Sequence, residues 1–314
     1  MKVCPTCQSK YDQGEAFCPH DGEALVDAEE LSSGQLAGQD LDGGIHLEEL
    51  ESAYDIGERY GGQLVDSDRD VRVTVFNGAA SPERDRIEQF ASTEQLLRGP
   101  LPRQILALHS FGLDETPYLV EQSPDGLALS ELLEEEGQLD WRLAVRIVAQ
   151  LAQTVHWMAE RGHVHRGLHP GAIFVTDLET GSIQVGDWLQ AARSYYTAPM
   201  AGVKSDASFV GFPSYLPPEA IKGSEALDER SLVYSLGMLL YEMILGKPPF
   251  ASEDAEETLK SHLHEKPLDL SIVVDTEIHP DLDEILGMMW KKSVDGRFQT
   301  PKATIAALST LIDE

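Results

Sequence analysis

The spacing of apolar positions changes along the chain. In the segment DVRVTVF, Val71, Val73 and Val75 recur at every second position, which is the period of a half-buried strand. Two further apolar stretches, QILALHSFG and PYLVEQ, also predict strands. Beyond them the apolar positions recur about every four residues, which predicts a long helix that begins after Asp140 and ends at Gly162. A strand-rich region therefore precedes a helical one.

The composition is that of a globular protein with an acidic surface. Hydrophobic residues make up 42% and charged residues 25% of the 314 residues, which is typical of a packed core rather than of disorder. The 54 Asp and Glu side chains outnumber the 24 Lys and Arg side chains, so the formal net charge is -30. Such a surface repels phosphate backbones and anionic lipids, and we expect neither nucleic acid nor a membrane as a partner.

No segment has the pattern of a membrane span or of a secretion signal. The most apolar stretch, SLVYSLGMLLYEMILG, is shorter than a span and contains Glu242, so it predicts a buried helix. The start of the sequence, MKVCPTCQSKYDQ, lacks the apolar core of a signal peptide. We therefore expect a cytoplasmic protein.

The cysteines of the chain cluster near its start, in CPTCQSKYDQGEAFCPHDG. Cys4 and Cys7 form a C-x-x-C knuckle whose thiolates can converge on one ion, and Cys18 adds another sulfur. Asp21 holds the position of the last ligand in a second knuckle, while His20 is the better zinc donor one position earlier. The stretch resembles the short zinc ribbons written CPxCxxxYxxxxxFCPxCG. This resemblance implies a structural zinc held by the cysteines and by Asp21 or His20.

Residues 1–26 form the predicted ribbon, and the chain changes character after them. Residues 27–51 are rich in acids and glycine, and no Lys or Arg lies between Lys10 and Arg59. Such a segment buries too little apolar area to offset the entropy of ordering it. We interpret it as a flexible acidic linker, with a tail that folds inward as the alternative.

Five motifs follow one another in the order of a known family. HRGLHPGAIFV resembles HRDLKPxNIxV, the catalytic loop of eukaryotic-type protein kinases, and SIQVGDWLQA stands where VKIxDFGLA follows it. VGFPSYLPPEA, RSLVYSLGMLLYEMILGKPPF and DGRF resemble GTPxYMAPE, RSDIYSLGVxLYEMLTGxxPF and DPxxR. Residues 52–314 therefore resemble the bacterial serine/threonine kinases of this family. The resemblance implies an α+β, bilobal fold with a small β-rich lobe over about 52–122 and a large helical lobe over about 123–314.

The catalytic loop lacks the groups that perform phosphoryl transfer in the family. Gly167 stands at the aspartate that receives the proton of the substrate hydroxyl, and Ala172 stands at the asparagine that holds metal. His169 stands at the lysine that steadies the transferring phosphate. The resemblance identifies Arg166 and Asp187 as retained, and Asp187 as a weak remaining ligand for nucleotide-bound metal.

The small lobe lacks the matching nucleotide contacts. Thr74 replaces the lysine of the V-A-I-K pattern, and the chain from Tyr11 to Val203 contains no lysine, so only an arginine could supply that charge. Counting along the family pattern places Phe90 at the carboxylate partner of this lysine. Glu121 occupies the apolar position that guards the adenine pocket. The glycines of GERYGGQLVDSDRD do not form G-x-G-x-x-G, so this stretch predicts an ordinary hairpin.

Framework positions are kept where catalytic positions are lost. Glu219 and Arg297 match the buried ion pair of the family, whereas Leu232 replaces the aspartate that braces the catalytic loop. The pattern predicts a pseudokinase, a kinase-like fold that acts as a regulatory or scaffolding protein-binding module in signalling. The alternatives are a serine/threonine kinase with atypical residual activity and an ATP-binding switch without phosphotransfer. We expect structural zinc, weak or absent binding of ATP with magnesium, and protein partners such as an active kinase.

Overall fold

The chain folds into two compact units in the computed structural model. One contains residues 1–100 and 106–123, and the other contains residues 101–105 and 124–314. The structure describes residues 2–3, 10–11, 26–27, 36–54, 57–76, 100–112, 118–161, 164–165, 167–186, 213–223, 227–252 and 254–312.

A small antiparallel sheet lies near the start of the chain. Its strands, with the first in the centre, are β1 (Lys2–Val3), β2 (Lys10–Tyr11) and β3 (Val26–Asp27). The predicted zinc ligands all lie outside the described residues: Cys4, Cys7, Cys18, His20 and Asp21. The described backbone of the predicted ribbon is limited to these short strands.

The rest of the first unit is built on a six-stranded antiparallel sheet. Its strands are β4 (Asp40–Leu41), β5 (Ile45–Tyr54), β6 (Gly57–Leu64), β7 (Arg69–Phe76), β8 (Leu108–Gly112) and β9 (Tyr118–Gln122). They lie in the order β4-β5-β6-β7-β9-β8. The strands predicted from the apolar pattern are β7, β8 and β9, and β6 with β7 forms the expected hairpin.

Residues 36–51 belong to this sheet, so the predicted flexible linker is wrong for them. Ile45 and Leu47 of β5 are 1% and 0% exposed and lie in the apolar core on one face of the sheet. Leu36 and Leu41 pack against the same core. Burial of these side chains offsets the entropy of ordering an acid-rich segment. The inward-folding alternative describes this stretch.

Hydrogen bonds also hold the segment on the sheet. The Tyr118 hydroxyl of β9 donates to the Asp42 carbonyl oxygen at 2.6 Å. The Leu36 N–H donates to the hydroxyl oxygen of Tyr60 on β6 at 3.2 Å. The segment is thus fixed to strands that follow it in the sequence, which its own composition does not reveal.

The second unit consists mainly of helices. They are α1 (Leu129–Glu136), α2 (Trp141–Ala159), α3 (Pro218–Ile221), α4 (Glu229–Leu245), α5 (Ala255–His264), α6 (Leu270–Val273), α7 (Leu282–Met289) and α8 (Pro301–Ser309). The predicted long helix is α2, whose first turn is capped by the Asp140 carboxylate. This carboxylate accepts from the N–H groups of Arg142 and Leu143 at 2.9 and 3.4 Å. The helix ends at Ala159, before the predicted Gly162.

Helix α4 is the buried helix predicted from the most apolar stretch. Every residue from Ser231 to Ile244 is buried, Glu242 included. Helices α2, α7 and α8 all contact α4, which places it at the centre of the second unit. Among the described residues, no helix combines the length and the apolar character needed to cross a membrane.

Three short strands frame the loop that the sequence identifies as catalytic. These antiparallel strands, with the second in the centre, are β10 (Leu127–Ala128), β11 (Ile173–Asp177) and β12 (Ser182–Val185). A 3-10 turn, Pro170–Ala172, leads directly into β11. The Val185 N–H donates to the Gln104 carbonyl oxygen at 2.7 Å, which attaches residues 101–105 to this unit.

Candidate functional site

The loop that begins at His165 keeps a hydrogen-bonded backbone. The His165 ring is 1% exposed, with Nε2 at 3.2 Å from the Gly186 carbonyl oxygen. Its Nδ1 accepts from the Gly167 N–H at 3.3 Å. Since a carbonyl oxygen only accepts and an N–H only donates, these partners fit a neutral ring protonated at Nε2. His165 therefore holds the loop in place, and the adjacent Arg166 lies outside the described residues.

The side chain of His169 turns back onto its own loop. Its ring is 4% exposed, and Nδ1 accepts from the Gly171 N–H at 3.1 Å, which caps the Pro170–Ala172 turn. Gly171 lies against the ring, because a Cβ there would be 3.1 Å from His169 Cε1. At the position where the family has a lysine that contacts a phosphate, the His169 imidazole therefore accepts a hydrogen bond from the backbone of its own loop.

Gly167 and Ala172 offer no functional group at the positions of the proton acceptor and the metal ligand. Both are buried. The Ala172 N–H donates to the His169 carbonyl oxygen at 3.0 Å, and the Ala172 carbonyl oxygen accepts from the Gly186 N–H at 3.0 Å. The Gly167 N–H and both backbone groups of Ala172 therefore have partners within the loop or at Gly186, and neither side chain can take up a proton or coordinate a cation. The retained Asp187 lies outside the described residues.

In the first unit, Thr74 lies on the face of the sheet that is opposite to the apolar core. Its register partners are Arg59 on β6 and Leu119 on β9. Thr74 and Arg59 are each 3% exposed, and the Arg59 Nε donates to the Thr74 Oγ1 at 3.4 Å. The neighbouring strand therefore places a permanent cation beside the position of the family's lysine.

On the same face, a second set of register partners carries charged side chains. Gly61, Arg72 and Glu121 are register partners on β6, β7 and β9. The Arg72 Nε donates to the Oε2 of Glu51 on β5 at 2.8 Å, and these side chains are 14% and 32% exposed. The pair crosses β6 at Gly61, where a Cβ would lie 3.7 Å from the Glu51 Oε1. A Cβ at Gly61 would therefore be in ordinary van der Waals contact with the Glu51 carboxylate.

Charged side chains from adjacent strands lie close together on this face of the sheet. Acids and arginines lie on adjacent strands, and Glu121 is as deeply buried as Arg59, at 3% exposure each. Buried charges are tolerated where opposite charges and hydrogen bonds accompany them. The opposite charges of the cluster can therefore stabilise one another.

The structure brings Glu219 and Arg297 together as an ion pair. Arg297 Nη1 and Nη2 each donate to one carboxylate oxygen at 2.7 Å, and the Ser231 hydroxyl donates to Oε1 at 2.7 Å. Arg297 also donates to the carbonyl oxygens of Lys291 and Arg230 at 2.7 and 2.9 Å. Burial alone would raise the pKa of the Glu219 carboxyl, but the bonds from Arg297 and Ser231 outweigh burial and lower this pKa.

A second buried contact joins the 3-10 turn Pro213–Tyr215 to α4. The Tyr215 hydroxyl donates to the Glu242 Oε2 at 2.7 Å, and the Ser235 hydroxyl donates to the Tyr215 carbonyl oxygen at 2.9 Å. Burial raises the pKa of Glu242 to about 7, although the hydrogen bond from Tyr215 opposes this shift. This carboxyl therefore changes its protonation near neutral pH.

The predicted site residues lie in separate units. Thr74 and Glu121 lie on one sheet face of the first unit, while Gly167, His169 and Ala172 share one loop of the second. In each unit, the predicted residues therefore share one structural element, a sheet face in the first and a loop in the second.

Phe90, like Arg166 and Asp187, lies outside the described residues. Part of the charged cluster was not predicted from the sequence. The alternation in DVRVTVF places Arg72 on the face opposite to the valines, so period-two spacing could have found it. Glu51 and Arg59 could not be found in this way, because their positions depend on the pairing of β5, β6 and β7.

Comparison with known proteins agrees with the order of the motifs. The family profile described as "Protein kinase domain" matches residues 93–306. The chain is 29% identical over 237 residues to the serine/threonine-protein kinase PknB of Mycolicibacterium smegmatis, a match that covers 74% of this chain and 37% of that protein. It is 32% identical over 201 residues to the probable serine/threonine-protein kinase SCO3848 of Streptomyces coelicolor, which covers 62% of this chain and 29% of that protein.

A solved structure supports the fold. The chain superposes on the crystal structure of the Mycobacterium tuberculosis PknI kinase domain with a TM-score of 0.66 at 20% identity. The superposition covers 88% of this chain and 99% of that chain. At this level of identity the similarity concerns the fold, with a curled sheet in one unit and helices in the other.

Proposed function

The chain belongs to the protein kinase domain family, and from this premise we propose that it is a pseudokinase. In this proposal the kinase-like fold acts as a regulatory or scaffolding protein-binding module in signalling. The relatives named above are serine/threonine-protein kinases, and the chain spans 37% of the length of the first of them. The similarity therefore extends to a part of each relative.

The observation that carries the proposal is the state of the loop around Gly167. Phosphoryl transfer depends on positioning and on electrostatic stabilisation, for which the family uses a proton acceptor, a metal ligand and a lysine. Gly167 and Ala172 supply neither of the first two groups, and the ring of His169 is engaged with the Gly171 N–H. A loop that keeps its fold without these groups supports a role in binding rather than in transfer.

Two assays with the full chain test this function. We expect no transfer of radiolabelled phosphate from ATP to the chain itself or to generic protein substrates, with an active bacterial serine/threonine kinase as the positive control. We also expect ATP with magnesium to change the melting temperature by less than about 1 °C. Phosphate transfer that disappears in an Asp187→Ala variant would establish the enzyme alternative instead.

A second candidate, an ATP-binding switch without phosphotransfer, is favoured by one observation. Arg59 lies with its Nε 3.4 Å from the Thr74 Oγ1, so a cation is available near the position of the family's lysine. In that case ATP with magnesium would raise the melting temperature by several degrees, and an Arg59→Met variant would lose the effect. The absence of a shift in the wild-type chain excludes this candidate.

Protein binding is the activity that the proposal assigns, with an active kinase among the expected partners. Affinity capture from the host, with the full chain as bait, tests this expectation. A parallel capture with a chain that begins at residue 36 removes the predicted ribbon but keeps the strand β5 and its apolar contacts. Partners lost only from the shorter bait would bind through the ribbon, and partners common to both would bind the kinase-like fold.

The predicted ribbon would hold zinc through Cys4, Cys7 and Cys18. Thiolates are a donor set that zinc prefers, and Asp21 or His20 would complete the tetrahedral site. We expect about one zinc per chain in elemental analysis after gentle purification. Single Asp21→Ala and His20→Ala variants identify the remaining ligand, because only the true ligand should lower the zinc content.

A further inference from the structure

We propose that the Glu51–Arg72 ion pair, rather than the replacement of the family's lysine by Thr74, closes the first unit's sheet to adenine nucleotides. The proposal rests on the pseudokinase function, because it explains how a kinase-like fold would exclude the nucleotide that kinases use. It assigns the exclusion to two named side chains, and it can therefore be tested by substitution.

One member of the pair, Arg72, lies beside two positions that bracket the nucleotide in the family. Thr74 marks the lysine that contacts the phosphates, and Glu121 marks the guard of the adenine pocket. Arg72 is the register partner of Glu121 and precedes Thr74 by two residues on the same face of β7. A purine placed between these positions would therefore lie against Arg72 and against Leu119, the register partner of Thr74.

Glu51 extends the blocked area. Its Oε2 accepts a hydrogen bond from the Arg72 Nε at 2.8 Å across Gly61, so the pair covers the sheet face over the adjacent strands β5, β6 and β7. The Arg72 side chain is 14% exposed and lies along the sheet, whereas the Glu51 side chain is 32% exposed and remains in contact with solvent. A purine would have to separate this ion pair and bury both charges against its ring, which is unfavourable.

Replacement of the lysine affects a different part of the ligand. An ammonium group at Thr74 would contact phosphates and not the base, and Arg59 already places a cation 3.4 Å from the Thr74 Oγ1. If the lysine were decisive, Thr74→Lys alone would restore the binding of ADP. If the ion pair is decisive, its removal gives binding of adenosine, which carries no phosphate.

The experiment uses the full chain with the double substitution Glu51→Leu and Arg72→Ala, and metal-free adenosine as the probe. We expect a rise in melting temperature of at least about 3 °C at about 5 mM adenosine for this variant, and none for the wild type. Thr74→Lys should show no rise with adenosine or with ADP. The matched control is Glu256→Leu with Lys260→Ala, which removes an exposed ion pair of 2.7 Å on α5 and should gain no binding.

The outcomes separate the alternatives. Absence of adenosine binding by a double variant with the circular dichroism of the wild type overturns the proposal, as does binding of ADP by Thr74→Lys alone. Should the double variant not fold, Glu51→Gln with Arg72→Ala applies the same test with a smaller change in polarity. Failure of the pseudokinase function is a distinct result, because it requires phosphate transfer by the wild-type chain.

Discussion

At Leu232 an apolar side chain takes the place of a polar brace. This residue is 2% exposed on α4, where the family has an aspartate that supports the catalytic loop. The loop obtains its support from its own histidines, since His165 and His169 accept from the N–H groups of Gly167 and Gly171. The position therefore packs as part of the core.

Leu232→Asp would destabilise the chain instead of repairing the loop. We expect a loss of at least about 3 kcal/mol in the free energy of unfolding, because an ionised group would replace a buried apolar side chain. Leu232→Met keeps the apolar character and should cost less than about 1.5 kcal/mol. Urea denaturation measures both variants, and equal stability of the two would show that the site still accommodates a brace.

Arg297 and Glu219 should respond unequally to substitution. Arg297→Ala takes away two of the donors to the partly buried Glu219 carboxylate and leaves it the Ser231 hydroxyl, and we expect a loss of about 3 kcal/mol. Glu219→Gln should cost less, because Arg297 keeps its bonds to the carbonyl oxygens of Lys291 and Arg230. Chemical denaturation of both variants at pH 7 checks the order, and a larger loss for Glu219→Gln would contradict it.

The same pair predicts a sensitivity to acid. The pKa of Glu219 is lowered in the folded state, so its contribution to stability is present above the pKa of an unfolded Glu and is lost as the pH falls through the folded value. We therefore expect the melting temperature of the wild type to fall below about pH 4.5 more steeply than that of Glu219→Gln. Parallel acid profiles would show that the pair contributes nothing to this loss.

At the scale of elements, α4 is buried on all sides and forms hydrogen bonds with the turn that precedes α3. The helix is surrounded by protein from Ser231 to Ile244, so its carboxyl at Glu242 is desolvated. The Tyr215 hydroxyl bonds this carboxyl, and the Ser235 hydroxyl bonds the Tyr215 carbonyl oxygen. The turn before α3 is therefore fixed to the centre of the second unit by two side chains of one helix.

Glu242→Gln should reduce the loss of stability that accompanies a rise in pH above about 7. Burial raises the folded pKa of Glu242 from 4.5 to about 7, so its stabilising protonation is complete below the unfolded value and is lost as the pH rises through about 7. The shift corresponds to a loss on the order of 3 kcal/mol above pH 8, which the amide would avoid. We expect the variant to melt higher than the wild type at pH 8.5 and to approach it at pH 5. A variant that melts lower than the wild type at pH 8.5 would contradict the raised pKa of Glu242.

At the scale of the whole molecule, the first unit needs residues that precede the region resembling a kinase. The side chains of Ile45 and Leu47 lie in the same core as Tyr60, Val71 and Val73. Without them, the apolar face of β6, β7 and β9 would be exposed to water. The folded first unit therefore begins before residue 52.

Shortened chains test this conclusion. A chain that begins at residue 36 should keep the melting temperature of the kinase-like fold, whereas one that begins at residue 52 should melt lower and aggregate. The expected cost is about 1.5 to 3 kcal/mol for each of the two buried side chains lost, Ile45 and Leu47. Thermal melts and light scattering measure the difference. Equal melting temperatures and equal aggregation of the two chains would show that residues 36–51 do not stabilise the first unit.

The sequence by itself determined the elements whose signals are local. The alternation of Val71, Val73 and Val75 identified β7, the cap at Asp140 identified α2, and the apolar run around Glu242 identified α4. Such signals survive because period and capping depend on neighbours in the chain. The order of five motifs likewise indicated the family, because each motif is a short continuous stretch of residues.

Only the tertiary structure decided which distant residues meet. The acidic composition of residues 36–51 predicted a linker, but their few apolar side chains pack on strands that come later in the chain. The contact of Glu51 with Arg72 across Gly61, and that of Arg59 with Thr74, depend on strand register. Register is set by pairing between separate segments and not by the composition of any one of them, which is why the charged sheet face became visible only in the folded chain.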